Sequence, residues 1–118
     1  MFTRSLRTAV AGLACVAALH AGAQTPLKIG FLATFSGPLG TLGQDQYDGF
    51  MLAVEQRAGK LGNVAVQVLK EDDQFKPEVA TQLVQKLIER DNVPIITGMT
   101  ASNIVMAVAK PIIKKRCS

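Results

Sequence analysis

Residues 27–34 read LKIGFLAT, an apolar run without helical periodicity that ends in a Ser-Gly-Pro turn. A run of this kind predicts a buried β-strand. Two more strands are predicted at residues 64–69, which alternate and are rich in valine, and at residues 93–97, where Pro94 is tolerated near the start. The segments that separate these strands are long enough to hold helices.

Three amphipathic helices are predicted between and after the strands. The first covers residues 44–58 and is closed by Gly59, the second begins at Pro77, and the third covers residues 104–113, where Pro111 marks its decline. Apolar residues recur in them three and four positions apart. The order β-α-β-α-β-α predicts an α/β fold, a parallel sheet with flanking helices.

Residues 1–23 have the layout of a cleavable secretory signal. Two arginines give a positive start, residues 8–19 are apolar or small, and AGA at residues 21–23 is a small-x-small site. Cleavage after Ala23 would make Gln24 the first residue of the mature chain. The apolar run is shorter than the roughly 20 residues that a membrane-spanning helix needs, so no span is expected after cleavage, and an uncleaved anchor helix is the alternative.

The composition excludes several classes of function. Without the two signal arginines, 11 basic residues stand against 9 acidic ones, and three of the basic ones lie at residues 114–116. The body of the chain is therefore near neutral, and no nucleic-acid surface is predicted. His20 lies in the signal and Cys117 is the single cysteine after it. The sequence thus predicts no metal site, no cofactor and no nucleophile–base pair, and so no enzyme.

Ligands of open parallel sheets sit beyond the carboxyl ends of the strands, which selects three loops at residues 35–43, 71–76 and 98–103. The first is rich in glycine, but its glycine spacing fits neither phosphate-binding motif. Ser36 in that loop is either a turn residue or a ligand contact. The second loop begins with Glu-Asp-Asp at residues 71–73, and we expect these carboxylates to form a turn and cap the next helix, or to line a cleft.

The third loop, GMTASN at residues 98–103, leads into the third helix. Ser102 is the predicted N-cap of that helix. A helix start also presents unpaired N–H groups and a positive dipole end, which suit a carboxylate. Thr100 and Ser102 offer hydroxyl donors beside it. This loop is therefore the best candidate for an anion site.

Three segments together resemble a known family. They read KIGFLATFSGPLG at residues 28–40, DGFMLA at 48–53 and EDDQFKPEVA at 71–80. In this order and spacing they resemble the type I periplasmic solute-binding proteins of ABC importers, most of all the leucine/isoleucine/valine-binding branch. The resemblance extends over residues 27–113. It implies a periplasmic protein of two lobes that closes around a small solute, such as an amino acid, and delivers it to membrane permease subunits.

The resemblance also implies site residues. In this family a serine hydroxyl and helix N-terminal amides after the third strand hold the ligand carboxylate, and Ser102 matches that serine, with Ala101 and Asn103 beside it. The loop after the first strand packs beside the ligand, frequently through a bulky aromatic residue. Leu42 stands at that position here. This departure argues against a standard aliphatic amino acid and leaves amides, urea and aromatic acids open.

Members of this family have several hundred residues, so residues 24–118 are expected to be a partial N-terminal lobe that binds weakly or not at all alone. The change from Ala-Lys-Pro-Ile-Ile to the basic tail at residues 114–118 is expected to mark a truncation. Two alternatives remain. The chain is a sensor or receiver-type α/β signalling domain, or it is a gene fragment without a function of its own.

Overall fold

The computed structural model describes residues 24–116. The predicted signal and its cleavage site lie outside the described residues, as do the last two residues of the basic tail. The strands are β1 (Leu27–Ala33), β2 (Lys60–Leu61), β3 (Val64–Asp72) and β4 (Ile95–Gly98), and the helices are α1 (Gly40–Glu55), α2 (Pro77–Gln85) and α3 (Ser102–Arg116). A 3-10 turn at Gly37–Leu39 precedes α1, and a π-helical turn at Lys86–Arg90 prolongs α2.

The four strands form one sheet in the order β2-β3-β1-β4. The central strand β1 pairs in parallel with β3, from Leu27 opposite Val66 onward, and with β4, from Ile29 opposite Ile95 onward. The predicted α/β fold with a parallel sheet and flanking helices is confirmed. Because β1, β3 and β4 are parallel, their carboxyl ends lie side by side at one edge of the sheet.

The short strand β2 was not predicted, and it makes the sheet mixed. Lys60 and Leu61 pair antiparallel with Ala65 and Val64 at the start of β3. The two-residue connection begins with Gly62, whose φ is 62°. Glycine at this position takes the left-handed conformation at little cost, which is why tight hairpins favour it.

Successive side chains of β1 point to opposite faces of the sheet, and each face has its own core. On the face covered by α2 and α3, Leu32 is fully buried among Ala80, Val84, Ile104 and Val108. Burying side chains of this kind stabilises the fold by roughly 1.5–3 kcal/mol each, relative to leaving them exposed. This apolar cluster fixes both helices against the central strand.

The face covered by α1 is aromatic. The ring centroids of Tyr47 and Phe50 each lie 5.2 Å from that of Phe31, which is buried in β1. The Lys70 ammonium lies 4.1 Å from the ring centroid of Phe35 and 4.4 Å from that of Tyr47. Edge-to-face rings and a cation over an aromatic face are both favourable arrangements. The aromatic residue that follows β1 is thereby held against α1.

Two helices differ from the predicted boundaries. The first begins at Gly40 rather than residue 44, because its first turn packs on the end of β1, where a Cβ at Gly43 would overlap the Thr34 carbonyl oxygen. The third begins at Ser102 rather than residue 104 and continues through Pro111 to Arg116. Proline removes one helix hydrogen bond, but Ile112 beyond it still packs on the buried core, which favours continuation.

Candidate functional site

The carboxyl ends of β1, β3 and β4, with the loops at residues 34–39, 73–76 and 99–101, form an edge that we call the rim. Two backbone hydrogen bonds extend the strand ladders into these loops. The Asp73 N–H donates to the Ala33 carbonyl at 3.0 Å, and the Met99 N–H donates to the Leu32 carbonyl. The three loops that the sequence selected therefore meet at one edge, as predicted.

Helix α3 begins at the rim, and Ala101 is its N-cap. The Ala101 carbonyl accepts from the Ile104 N–H at 3.1 Å and from the Val105 N–H at 3.2 Å. The predicted N-cap, Ser102, is wrong by one position, because Ser102 is already the first helical residue. Ser102 and Asn103 are both exposed. Their N–H groups lie in the first turn, where helix geometry provides no partner within the helix, at the positive end of the dipole.

Thr100 is half-buried, and its hydroxyl is already hydrogen-bonded on two sides. Its Oγ1 accepts from the Thr34 N–H at 3.2 Å and donates to Gln46 Oε1 at 3.1 Å. Loop three is thereby joined to the end of β1 and to α1. Sequence reasoning missed Thr34 and Gln46, since residues so far apart along the chain give no local pattern that would pair them.

Thr34 and Asp73 form a fully buried pair beneath the rim. The Thr34 hydroxyl donates to Asp73 Oδ1 at 2.6 Å, and the Phe75 N–H donates to the same oxygen at 2.9 Å. Within residues 24–116, Asp73 Oδ2 is buried without a hydrogen-bond partner. A buried carboxylate held by donors on one oxygen ties loop two rigidly to the end of β1.

Ser36 is exposed and forms a hydrogen bond with the side chain of Asp72. Asp72 Oδ1 also accepts from the N–H groups of Phe35 and Gln74, both at 2.9 Å. Partial burial raises the pKa of Asp72, but these three hydrogen bonds and the attraction of Lys70 outweigh it and hold that pKa below its ordinary value of 3.8. Asp72 is therefore an ionised link between loops one and two.

Two of the carboxylates at residues 71–73 form the predicted turn, but none of them forms the predicted cap of α2. Asp72 and Asp73 each accept from the N–H two residues onward, which builds the turn. The N-cap of α2 is Lys76, without a side-chain capping bond. Glu71 points to the other face and forms an ion pair with Lys86.

Leu42 lies on the first turn of α1, and not in the preceding loop, with 48% of its surface exposed. The rim also concentrates strained backbone. Gln74, Phe75 and Met99 have φ values of 53°, 60° and 62°. Residues other than glycine pay for this conformation, and such strain gathers at functional sites. Phe75 is 46% exposed and brings an aromatic surface to the rim.

An apolar groove of about 510 Å³ lies away from the rim, along the outer side of β4. Ile88, Ile96 and Ile112 contribute to its walls. This groove is an alternative place for an apolar ligand. The rim has the stronger chemical case, because it contains the helix start and the hydroxyl groups, which the groove does not.

Among residues 24–116, no group of three or more His, Cys, Asp or Glu side chains is placed to hold a metal ion. Over the same residues, every helix is too short or too polar to cross a membrane.

Comparisons with known proteins place these observations in a family. A family model described as periplasmic binding protein matches residues 26–116. A search of curated proteins finds no significant match. Among solved structures, an ABC transporter solute-binding protein from R. palustris in complex with benzoate is 33% identical, with a TM-score of 0.74, and the match covers 77% of this chain and 25% of that one.

Two other solved structures are similar. An ABC transporter substrate-binding protein from Sphaerobacter thermophilus is 37% identical, with a TM-score of 0.74, and the match covers 78% of this chain and 25% of that one. A branched-chain amino acid transporter substrate-binding protein from Streptococcus pneumoniae, in complex with isoleucine, is 25% identical, with a TM-score of 0.70 and coverage of 76% and 26%.

The chain thus spans about a quarter of the length of these structures. The family match covers nearly all of the described residues, and the fold agrees over the same part. The chain belongs to the periplasmic binding protein family, the extracytoplasmic solute-binding proteins of ABC transporters, which are not enzymes.

Proposed function

We propose that residues 24–118 form part of the N-terminal lobe of an extracytoplasmic solute-binding protein, and that this lobe holds the carboxylate of a small solute at the start of α3. Residues 1–23 are the export signal, cleaved after Ala23, and the site of action is the periplasm. The partners are the permease subunits of an ABC importer.

One observation carries this proposal: α3 begins at the carboxyl end of β4, with Ser102 and Asn103 exposed in its first turn. Two backbone N–H groups and the Ser102 hydroxyl are available there to a carboxylate. The positive end of the helix dipole adds to the attraction. Ala101 serves this arrangement as the N-cap, since its carbonyl begins the helix and leaves the next two N–H groups open.

The ligands of the related structures have this chemistry in common, because benzoate and isoleucine both carry a carboxylate. Leu42 replaces a bulkier aromatic side chain with a smaller, half-exposed one beside the rim. This substitution favours a planar aromatic acid over the aliphatic amino acids of the leucine/isoleucine/valine branch. Benzoate is therefore the first ligand to test, and isoleucine the second.

Binding in such proteins depends on two lobes that close over the ligand and exclude water. A charged hydrogen bond is strong only where water is excluded. A single lobe leaves the carboxylate solvated on its open side, so we expect weak binding, in the millimolar range or above. NMR titration detects binding of this strength through the amide shifts of Ser102 and Asn103.

Replacing Ser102 by alanine tests the site. The variant loses one hydroxyl donor to a carboxylate that stays solvated on its open side, a bond worth roughly 0.5–1 kcal/mol, so we expect the Kd for benzoate to rise about two- to fivefold. The measurement is the shift of the Asn103 amide during titration with sodium benzoate, with sodium chloride as the ionic control. Thr25→Ala, which removes an exposed hydroxyl before β1, is the matched control and should leave the Kd unchanged.

An equal Kd for the wild-type protein and Ser102→Ala would remove Ser102 from the site. If neither benzoate nor isoleucine shifts any rim amide, the carboxylate-binding proposal fails, and a fragment without a function of its own becomes the better interpretation. Micromolar affinity of this chain alone would contradict the need for a second lobe.

A further inference from the structure

We propose that Thr100 and Gln46 are positioning residues, which hold the start of α3 in its ligand-binding orientation without touching the ligand. This inference rests on the proposed function and identifies what keeps that site in shape. Nothing in the sequence pattern pairs these two residues. Their role follows from the contacts of the folded chain.

The segment that leads into α3 needs an anchor because its backbone is strained. Gly98 and Met99 follow each other with φ values of 97° and 62°. Glycine adopts this region freely, but methionine does so at a cost. The Met99 N–H is held by the Leu32 carbonyl, and the next side chain along the chain is that of Thr100.

Thr100 fastens this segment to two other parts of the fold. Its hydroxyl oxygen accepts from the Thr34 N–H at 3.2 Å and donates to Gln46 Oε1 at 3.1 Å. The first bond joins loop three to β1, and the second joins it to α1. A threonine hydroxyl has a single proton, and here that proton is given to Gln46.

The inner end of this network is fully buried. Thr34 is fully buried, and its own hydroxyl donates to the equally buried Asp73 at 2.6 Å. The outer end is held by α1, whose first turn packs on Thr34 so closely that Gly43 has no room for a Cβ. Thr100 is therefore bonded both to the end of β1 and to α1, and α3 begins two residues later.

The same bonds separate Thr100 from the ligand contacts. A carboxylate only accepts hydrogen bonds, so it needs donors. The Thr100 proton is committed to Gln46, whereas Ser102 and the first-turn N–H groups of α3 are exposed. The geometry assigns ligand contact to Ser102 and Asn103, and positioning to Thr100 and Gln46.

Two variants of Thr100 test this division in the full chain. Thr100→Val keeps the shape and removes the hydroxyl, and Thr100→Ser keeps the hydroxyl. We expect the Ile104 and Val105 amides, which donate to the Ala101 carbonyl at the start of α3, to exchange their hydrogen about tenfold faster in Thr100→Val than in the wild type, because local opening becomes easier. In Thr100→Ser the exchange rates of these amides should stay within about twofold of the wild-type rates, because the hydroxyl is retained. The benzoate-induced shift of the Asn103 amide should fall in Thr100→Val and be retained in Thr100→Ser.

Exchange measurements without ligand make the two proposals separable. Faster exchange in Thr100→Val, together with a wild-type chain that ignores benzoate and isoleucine, overturns the proposed function and supports the positioning of α3. Equal exchange in the valine and serine variants overturns the positioning role. Faster exchange with an unchanged response to benzoate overturns it as well, since the anchoring would then have no effect on the site.

If Thr100→Val destabilises the whole chain, all amides will exchange faster, and Gln46→Ala then decides the matter. Gln46 is exposed, so its truncation should leave global unfolding in urea unchanged. Exchange that increases at Ile104 and Val105 alone supports the proposal. Exchange that stays at the wild-type rate there overturns it.

Discussion

The rim and the outer side of β4 border the same strand, yet their side chains have very different partners. At the rim, Thr34, Asp72 and Thr100 are joined to neighbouring elements by hydrogen bonds of 2.6–3.2 Å. Along the outer side of β4, Ile95 is 44% exposed and borders the apolar groove of about 510 Å³. In the described chain β4 pairs on one side only, with β1.

The rim is held together by hydrogen bonds between loops, whereas β4 ends the described sheet with an open edge. At the rim, the hydroxyls of Thr34 and Thr100 and one oxygen of Asp72 are bonded to other parts of the chain, whereas Asp73 Oδ2 has no partner among residues 24–116. The outer side of β4 exposes unpaired backbone groups and apolar surface. An edge of this kind can pair with another strand. At the opposite edge, the two-residue strand β2 covers the start of β3, at Val64 and Ala65, and brings the exposed Lys60 to that part of the edge.

Among the variants below, we expect the greatest loss of stability from replacing Asp73 at the rim. Asp73→Ala leaves the buried Thr34 hydroxyl and the Phe75 N–H without their acceptor, and we expect a loss of about 2 kcal/mol in the free energy of unfolding. Urea denaturation measures it. Asp73→Asn, which keeps an acceptor oxygen, is the matched control and should cost less. Equal costs for the two variants would show that these hydrogen bonds do not hold the rim.

A smaller effect on stability, but a clear one on association, is expected at the β4 edge. Ile95→Lys places a charge on the exposed strand, so we expect less self-association and a change in stability within about 0.5 kcal/mol. Light scattering over a concentration series measures the association. Val64→Lys, on the side protected by β2, is the control and should change association little. A similar decrease from both lysines would remove the distinction between the two edges.

The smallest expected effect is a pH dependence at the rim. The pKa of Asp72 is lower in the folded chain than in the unfolded chain, so the unfolded chain takes up a proton first as the pH falls. The stabilisation from Asp72 is therefore complete above its ordinary pKa of 3.8 and is lost as the pH falls through the lower folded value. Urea denaturation between about pH 5 and about pH 3 measures this loss.

Asp72→Asn should weaken that pH dependence, because the amide cannot take up the proton. Asp45→Asn, which removes an exposed carboxylate on α1, controls for the change in net charge. If the two variants have the same pH dependence of unfolding, then ionised Asp72 does not stabilise the folded chain in the way its hydrogen bonds indicate.

Much of the fold was predictable because hydrophobic periodicity is local. The helix that begins at Pro77 follows from its period, and the strand at residues 27–34 follows from a short apolar run that lacks one. The meeting of three loops at one edge follows from the alternation of strands and helices. The hairpin at Lys60–Leu61 was missed because two residues are too few for a period, although Gly59 and Gly62 on either side are a turn signal. The end of α3 was missed because packing of Ile112 outweighed the break expected at Pro111.

The candidate site was predictable only in its outline. The position of Ser102 at a helix start follows from the strand–helix order, but its place one residue inside α3 depends on the Ala101 carbonyl. The network of Thr34, Gln46 and Thr100 depends on close packing between α1 and β1, which no spacing in the sequence encodes. Local patterns thus located the rim. Tertiary contacts decide which of its hydroxyl groups are already hydrogen-bonded and which are open to a ligand.

The aromatic face under α1 supplies a built-in optical probe. Tyr47 is the single tyrosine, and the chain has no tryptophan, so tyrosine emission reports on one ring. That ring lies 5.8 Å from Phe35, centroid to centroid, and Phe35 belongs to the first loop of the rim. Any solute that moves this loop should therefore change the tyrosine spectrum, without a label or an engineered fluorophore.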